Sequence, residues 1–237
     1  GSSIYREDTR SFEFSKGPVF TNFLLVDEIN RASSKTQSAL LESMQELTVT
    51  HSGFSYPLPD PFIVFATQNP IEQEGTYPLP AAQLDRFMFK VDIGYPQAEN
   101  EERILKEHHA TGFCRDLNAL GIRRFCDAES IQAARKTIAE TRVRDEIISY
   151  VRTLARSTRD HDMLMVGASP RAALMLLIGA KCFARFEDRD FVIPDDIKKS
   201  FCPAFRHRIL LNPAAELEGI TPDNILHGIL ERTEVPK

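Results

Sequence analysis

Two adjacent carboxylates follow a short apolar run in the stretch FLLVDEINRAS, residues 23 to 33. Asp27 and Glu28 would lie at the carboxyl end of a buried strand, which is the edge where open α/β sheets bind ligands. One carboxylate there can hold Mg²⁺ through water, and the next can orient and deprotonate an attacking water. Taken alone, the pattern fits a strand that ends in two solvated acids equally well.

Two further polar residues follow in chain order, each with an alternative explanation. Asn69 ends the second apolar run, where a side chain that both donates and accepts could hold water beside a γ-phosphate. It could equally be a turn residue before Pro70. Arg86, in QLDRF, could stabilise charge that develops on a phosphate, or it could form a surface ion pair with Asp85.

A third candidate lies in GASPRAALMLLIGAKCF, which has the start signals of a helix. Ser169 is the predicted N-cap, Pro170 the first helical residue and Arg171 a member of the first turn. The helix N-terminus and the guanidinium both favour an anion. The alternative is an ordinary capped helix whose apolar residues belong to a core.

The elements that must position these residues are predicted from periodicity. Apolar runs at 23 to 26 and 62 to 67 predict strands buried on both faces, as in a parallel sheet, and a third strand is predicted at 87 to 93. Ser34 and Gln37 predict a capping box at the start of a helix over 35 to 47. A hairpin is predicted at 47 to 58, around Ser52 and Gly53, and a short strand near FEFSKGPVF, residues 12 to 20.

Helical patterns dominate after residue 96. One helix begins in PQAENEER and is predicted to stop at Gly112; others are predicted at about 128 to 140, 144 to 158, 170 to 187 and 194 to 206. FRHRI, residues 205 to 209, predicts a basic, solvated helix end. We therefore expect an α/β unit over 1 to 112 and an α-helical domain over 113 to 237.

Composition excludes several classes of protein. The 237 residues are 42% hydrophobic and 27% charged, as in soluble globular proteins, and no apolar run approaches the ~18 residues of a membrane span. The net charge of -5 argues against a broad nucleic-acid footprint. The cysteines are too widely spaced for a zinc site or a disulfide framework, which predicts free thiols in a reducing cytosol. These are Cys114, Cys126, Cys182 and Cys202.

In this order and at this spacing, LLVDEINRA, ATQNPIEQEGTYPLPAAQLDRF and GASPRA resemble the motifs of the MoxR family of AAA+ ATPases. The resemblance covers essentially the whole chain and implies the C-terminal part of a P-loop NTPase core with a parallel sheet, followed by an α-helical lid domain. It implies that Asp27 and Glu28 are the Walker B pair, Asn69 is sensor 1 and Arg171 is the sensor 2 arginine. It also implies that Arg86 is an arginine finger reaching the nucleotide of a neighbouring subunit.

The same resemblance implies ATP and Mg²⁺ as cofactors, with Asp27 contacting the metal through water. It implies a cytoplasmic homo-hexamer that remodels or matures partner proteins in a chaperone-like way, often with a partner that bears a von Willebrand A domain. Two other classes stay open: a non-hydrolysing interaction module that keeps the ring surfaces, and a DNA-remodelling motor. The hairpin tip HSGFSY lacks Lys and Arg, which weakens the second of these.

A phosphate-binding loop, G-x-x-x-x-G-K-[ST], is missing from the sequence. None of the 11 glycines is followed by Lys. The resemblance implies that this loop and the first strand lie upstream of Gly1. We therefore expect the chain to be a portion of a longer ATPase that does not hydrolyse ATP on its own.

Overall fold

The computed structural model describes residues 1–69, 75–111, 121, 123 and 125–236. In its N-terminal part, strands are connected by turns and helices. In chain order these elements are β1 (Ser2–Arg6), β2 (Ser11–Ser15), β3 (Phe23–Val26), a short 3-10 helix (Ile29–Arg31), α1 (Ser34–Glu46), β4 (Thr48–His51), β5 (Phe54–Pro57), β6 (Ile63–Ala66) and α2 (Ala81–Leu84).

The two apolar runs form adjacent parallel strands, as predicted. β3 pairs with β6 from Phe23 opposite Ile63 to Val26 opposite Ala66. Since parallel strands end at the same edge of a sheet, the residues that follow β3 and those that follow β6 are brought together. This edge carries the candidate site.

One face of this parallel pair is covered and the other is not. Val26 and Ala66 pack against a small core. That core is formed by Ile29, Leu41 and Leu79. On the opposite face, Leu25 is 68% exposed and Phe65 is 57% exposed. The expectation of strands buried on both faces is therefore wrong for the described residues, because side chains alternate between faces and only the face toward α1 is packed.

The start of α1 differs from the predicted capping box. Ser33, not Ser34, is the N-cap, and its hydroxyl accepts the backbone N–H of Thr36 at 3.3 Å. Gln37 is buried, and its Nε2 donates to three backbone carbonyls, those of Ile29, Ala32 and Tyr77. Because buried carbonyls need partners, Gln37 joins the helix start to the turn after β3 instead of capping its own helix.

Two antiparallel hairpins accompany the parallel pair. β4 and β5 form the predicted hairpin, with positive φ at Ser52 and Gly53, as a two-residue type I′ turn requires. β1 pairs with β2 across residues 7 to 10, so the predicted strand near Phe12 is present as part of a hairpin that the sequence pattern did not indicate.

The predicted strand at 87 to 93 is wrong. These residues have no strand conformation, and their backbone groups bond to the helical part of the chain. The N–H of Lys90 donates to the carbonyl of Pro203 at 2.9 Å, and His207 Nε2 contacts the carbonyl of Phe87 at 3.0 Å. The apolar run at 87 to 90 therefore belongs to the junction between the two parts.

The remaining described elements are mainly helical, as predicted. They are α3 (Ala98–Thr111), α4 (Ala128–Ala139), α5 (Asp145–Arg159), β7 (Leu164–Val166), α6 (Pro170–Phe186), α7 (Pro194–Phe205), β8 (Leu210–Leu211), α8 (Pro213–Leu217) and α9 (Pro222–Arg232). The predicted stop at Gly112, Cys114 and most of the expected boundary region lie outside the described residues.

The helices surround the larger core of the molecule. Fully buried side chains from α5, α6, α7 and α9 meet there, including Leu154, Leu176, Phe201 and Leu226. The buried carboxylate of Asp196 is paired with Arg189 at 2.6 Å, which satisfies the charge that α7 brings into this core. Within the described ranges, none of the helices combines the length and apolar character needed to cross a bilayer.

Candidate active site

Asp27 and Glu28 lie at the carboxyl edge of the parallel pair and are tied to the neighbouring strand by Thr67. The Thr67 hydroxyl donates to Oδ1 of Asp27 at 2.5 Å and accepts the backbone N–H of Glu28 at 2.8 Å. The backbone hydrogen bonds between β3 and β6 also continue past the ends of the strands. The N–H of Thr67 donates to the carbonyl of Val26, and the N–H of Ile29 donates to the carbonyl of Thr67, each at 3.0 Å. The pair is therefore fixed by backbone and side-chain bonds.

Glu28 itself has an unusual backbone conformation. Its φ and ψ are 51° and 53°, in the left-handed region that costs a residue with a Cβ about 1–2 kcal/mol. The chain turns sharply there into the 3-10 helix, and Arg31 Nε contacts Glu28 Oε2 at 3.1 Å. Glu28 is half-buried whereas Asp27 is exposed, so the two carboxylates have different surroundings although they are adjacent in sequence.

Asn69 lies two residues beyond Thr67 on the chain that leaves β6, and it is half-buried. The geometry thus places it at the same edge as Asp27 and Glu28. Its alternative role as a turn residue depends on Pro70, which lies outside the described residues.

Arg86 follows α2 and faces α1. It lines a cavity of about 340 Å³ together with Glu42, Gln45 and Glu46 of α1. The alternative of an Arg86–Asp85 ion pair is not what the structure shows, because Asp85 is paired with arginines of the helical part. Among the described residues, no ion pair is formed by the Arg86 guanidinium.

Asp85 makes an ionic contact between the α/β part and the helical part. It accepts from Arg208 Nε at 2.8 Å and from the Ser169 hydroxyl at 3.3 Å, and Arg171 Nη1 lies 3.8 Å from its second oxygen. The side chain of Arg208 is 1% exposed, and burial lowers its pKa against the opposing effect of Asp85. The expectation of a solvated helix end at 205 to 209 is therefore wrong: His207 is also buried.

Arg171 occupies the first turn of α6, and Ser169 is the N-cap, as predicted, accepting the N–H of Ala172 at 3.3 Å. The Arg171 side chain is 43% exposed. In the described part of the chain, no hydrogen bond or ion pair joins it to Asp27 or Glu28. The structure thus brings the candidate residues together in two groups, one around Thr67 and one around Asp85.

The donor set at the sheet edge fits a magnesium ion better than a transition metal. The described residues contain no cluster of three or more His, Cys, Asp or Glu side chains that could hold a metal. Mg²⁺ in phosphoryl-transfer sites is bound through one or two carboxylates, with waters and substrate phosphates completing the shell. Asp27, exposed and oriented by Thr67, provides such a carboxylate.

Three residues of these groups were missed by sequence reasoning. Thr67 ends the apolar run beside Asp27, so its position after a strand was a usable signal. Asp85 was considered only as a partner for Arg86. No local pattern could have linked Arg208 to Asp85, because 123 positions separate them.

Two family models match the chain. One, described as "ATPase family associated with various cellular activities (AAA)", matches residues 1–89, and the other, described as "AAA lid domain", matches residues 156–229. The two matches coincide with the α/β part and with most of the helical part.

Individual relatives match over the whole chain. YeaC of Bacillus subtilis, an uncharacterized protein, is 41% identical, and the chain spans 72% of its length. Chaperone MoxR1 of Mycobacterium tuberculosis is 38% identical, and the chain spans 63% of it. A crystal structure from Cytophaga hutchinsonii, of a protein named provisionally as an ATPase, is 40% identical, with a TM-score of 0.90 over 100% of this chain and 73% of that one.

Proposed function

The chain belongs to the MoxR family of AAA+ ATPases, and from this premise we propose that it works in ATP-driven, chaperone-like remodelling or maturation of partner proteins. The observation that carries the proposal is the Asp27–Glu28 pair, fixed by Thr67 at the carboxyl edge of two parallel strands. This is where a phosphoryl-transfer site of an α/β sheet needs its metal-binding carboxylate and its base.

Each residue at this edge has a distinct role in the proposal. Asp27 would hold Mg²⁺, which would supply positive charge to neutralise the phosphates of ATP. Glu28 accepts a proton from the attacking water, and Asn69 orients that water. The left-handed backbone at Glu28 supports this division, because it turns the second carboxylate away from the strand direction while the first stays bonded to Thr67.

The two arginines act on different subunits. Arg86 reaches the nucleotide of a neighbour, and Arg171 contacts the γ-phosphate bound by its own subunit. The absence of an ion pair on Arg86 within the described residues leaves its charge available for a phosphate. A finger that acts in trans needs a head-to-tail interface, and a closed ring of such interfaces, here a homo-hexamer, is part of the proposal.

The nucleotide site of this chain is incomplete in the proposal. The phosphate-binding loop is contributed by residues upstream of Gly1, so the chain by itself does not hydrolyse ATP. We also propose that residues 1 to 112 form a partial AAA+ core and that residues 113 to 237 form the lid.

The partner and the location are also proposed. MoxR1 is named a chaperone, which supports a protein client, and a von Willebrand A domain protein is the expected partner. The three cysteines in the described residues, Cys126, Cys182 and Cys202, are free thiols, which supports a cytoplasmic location. The β4–β5 hairpin carries no Lys or Arg, which speaks against DNA as the client.

The experiment measures phosphate release by the protein with its native upstream segment restored, with ATP and Mg²⁺. We expect Glu28→Gln to lower kcat by ~100-fold or more while a fluorescent ATP analogue still binds. Glu129→Gln, at the start of α4, is the matched control and should behave as wild type. If the assembled wild-type protein released no phosphate, the non-hydrolysing interaction module would replace the proposed function.

A further inference from the structure

Asp85 lies directly before Arg86 and is held by the lid. We propose that Asp85 is a positioning residue, through which the lid fixes the direction in which Arg86 points toward the neighbouring subunit. This inference rests on the proposed function, because it takes Arg86 as a finger that acts in trans.

Three lid side chains approach the single carboxylate of Asp85. Arg208, Ser169 and Arg171 all approach Asp85, at 2.8, 3.3 and 3.8 Å. The Asp85 side chain is 23% exposed, so these contacts are partly shielded from water and weigh more than surface pairs. The cap of α6 and the end of α7 thus meet at the residue next to the finger.

The lid also holds the backbone around Arg86. Arg208 Nη2 donates to the carbonyl of Asp85 at 2.9 Å and also to the carbonyl of Phe87. One buried guanidinium therefore holds the residues on both sides of Arg86, and the N–H of Arg86 itself donates to Gln83 at 3.2 Å. With the backbone fixed on each side, the direction in which the side chain of Arg86 leaves the backbone follows from the position of the lid.

The contacts of Asp85 differ in distance and in burial. Arg171 is the farthest of the three groups and is 43% exposed, whereas Arg208 is 1% exposed. A phosphate that attracted Arg171 would leave the Arg208 pair intact but would change the charge that Asp85 experiences. Occupancy of a subunit's own site would in this way reach the finger that serves its neighbour.

A matched control lies on the same segment. Asp92 also pairs with an arginine from the end of α7, Arg206, at 3.0 Å. It is 60% exposed and lies six positions after Arg86, with no bond to the finger's neighbours within the described residues. Asp92→Asn removes the same kind of charge pair without touching the backbone next to Arg86.

The experiment uses the protein with its upstream segment and mixes subunits in one ring. Asp85→Asn alone should lower kcat by ~10–100-fold with the KM for ATP within ~3-fold of wild type, and Asp92→Asn should leave both unchanged. Glu28→Gln subunits cannot hydrolyse but carry an intact finger. A 1:1 mixture of Asp85→Asn with Glu28→Gln should therefore recover roughly a quarter of the wild-type rate, since each finger serves the next subunit.

The mixtures distinguish a failure of the positioning role of Asp85 from a failure of the trans role of Arg86. If Arg86→Ala recovers activity with Glu28→Gln but Asp85→Asn does not, Asp85 acts on the nucleotide site of its own subunit rather than through the finger, and the inference is overturned. If Arg86→Ala does not recover activity either, the trans finger fails and the inference falls with it. Should Asp85→Asn not assemble, Asp85→Glu, which keeps the charge but displaces it, is tested in the same mixture against the same outcomes.

Discussion

Oγ1 of Thr67 lies 2.5 Å from Oδ1 of Asp27. The same oxygen accepts the backbone N–H of Glu28, so one hydroxyl just after β6 orients the Asp27 carboxylate and fixes the backbone of Glu28 just after β3. Groups that orient a metal-binding carboxylate commonly affect activity by 10- to 100-fold although they touch neither metal nor substrate.

Thr67→Val keeps the shape of the side chain and removes the hydroxyl. We expect it to lower kcat of the protein with its upstream segment by ~10–100-fold and to raise the Mg²⁺ concentration needed for half-maximal rate. Thr67→Ser retains the hydroxyl and should stay within ~3-fold of wild type. Steady-state phosphate release over a Mg²⁺ titration measures both, and equal rates for Val and Ser would show that the hydroxyl is not needed.

Arg208→Met tests the buried ion pair between the lid and Asp85. Removing one partner leaves the other charge partly buried and several carbonyls without donors, so we expect the free energy of unfolding to fall by about 3–5 kcal/mol. Urea unfolding followed by circular dichroism measures the loss. Arg142→Met removes an arginine whose pair with Asp190 is exposed, and it should leave the transition almost unchanged.

Gly179→Ala tests how closely α6 packs against the segment after Arg86. A Cβ there would lie 2.6 Å from Cζ of Phe89 and 3.0 Å from Oγ of Ser200, so we expect a loss of about 1–3 kcal/mol of stability despite the better helix propensity of Ala.

Gly228→Ala is the matched control for Gly179→Ala. It also lies inside a helix, but a Cβ would meet no atom within 4 Å. This variant should gain about 0.5–1 kcal/mol. Thermal unfolding of both variants measures the difference, and a loss at both positions would contradict the packing argument.

His207 makes stability depend on pH. Burial lowers the pKa of its imidazole to about 4, from 6.5, although its bond to the carbonyl of Phe87 acts in the opposite direction. Between pH 4 and pH 6.5 the unfolded chain binds a proton on His207 that the folded chain does not bind. The contribution of His207 to the free energy of unfolding is therefore complete above pH 6.5 and is lost as the pH falls toward 4. The full loss is about 3 kcal/mol.

The measurement is urea unfolding at pH 7, 6 and 5 of wild type and His207→Gln. Carboxylates titrate in both proteins, so the test is the difference between the two proteins in how steeply the free energy of unfolding changes with pH. Wild type should lose more stability than His207→Gln between pH 7 and 5, and parallel curves would contradict the assignment.

Local patterns predicted the elements but not the junction between them. The parallel pair, the β4–β5 hairpin and five helices have bounds close to the predicted ones, because periodicity and capping are set by near neighbours. The run at 87 to 93 has strand-like composition, yet its hydrogen-bond partners are Pro203, His207 and Arg208. A partner more than a hundred residues away leaves no trace in a local pattern.

In the candidate site, too, local patterns identified some residues, whereas others depend on distant contacts. Asp27 and Glu28 could be selected because they end an apolar run, and Arg171 because it follows an N-cap and a proline. Ser33, not Ser34, is the N-cap of α1, and Gln37 donates to buried carbonyls, which only the fold reveals. Thr67 and Asp85 are important because of their contacts with residues distant in the chain, Asp27 and Arg208, and no local pattern shows those contacts.

Among the described residues, the larger hydrophobic core buries 22 side chains between Ile147 and Ile229, whereas the core beneath the parallel pair buries three, those of Ile29, Leu41 and Leu79. Segments that bury many apolar side chains open rarely, whereas segments with few buried apolar side chains open more often. Amide hydrogens of α5, α6 and α7 should thus exchange with solvent deuterium last, and those of β3 and β6 early. The exchange rate of the segment at 85 to 90, whose bonds connect the two parts, should then show how often the helical part detaches from it.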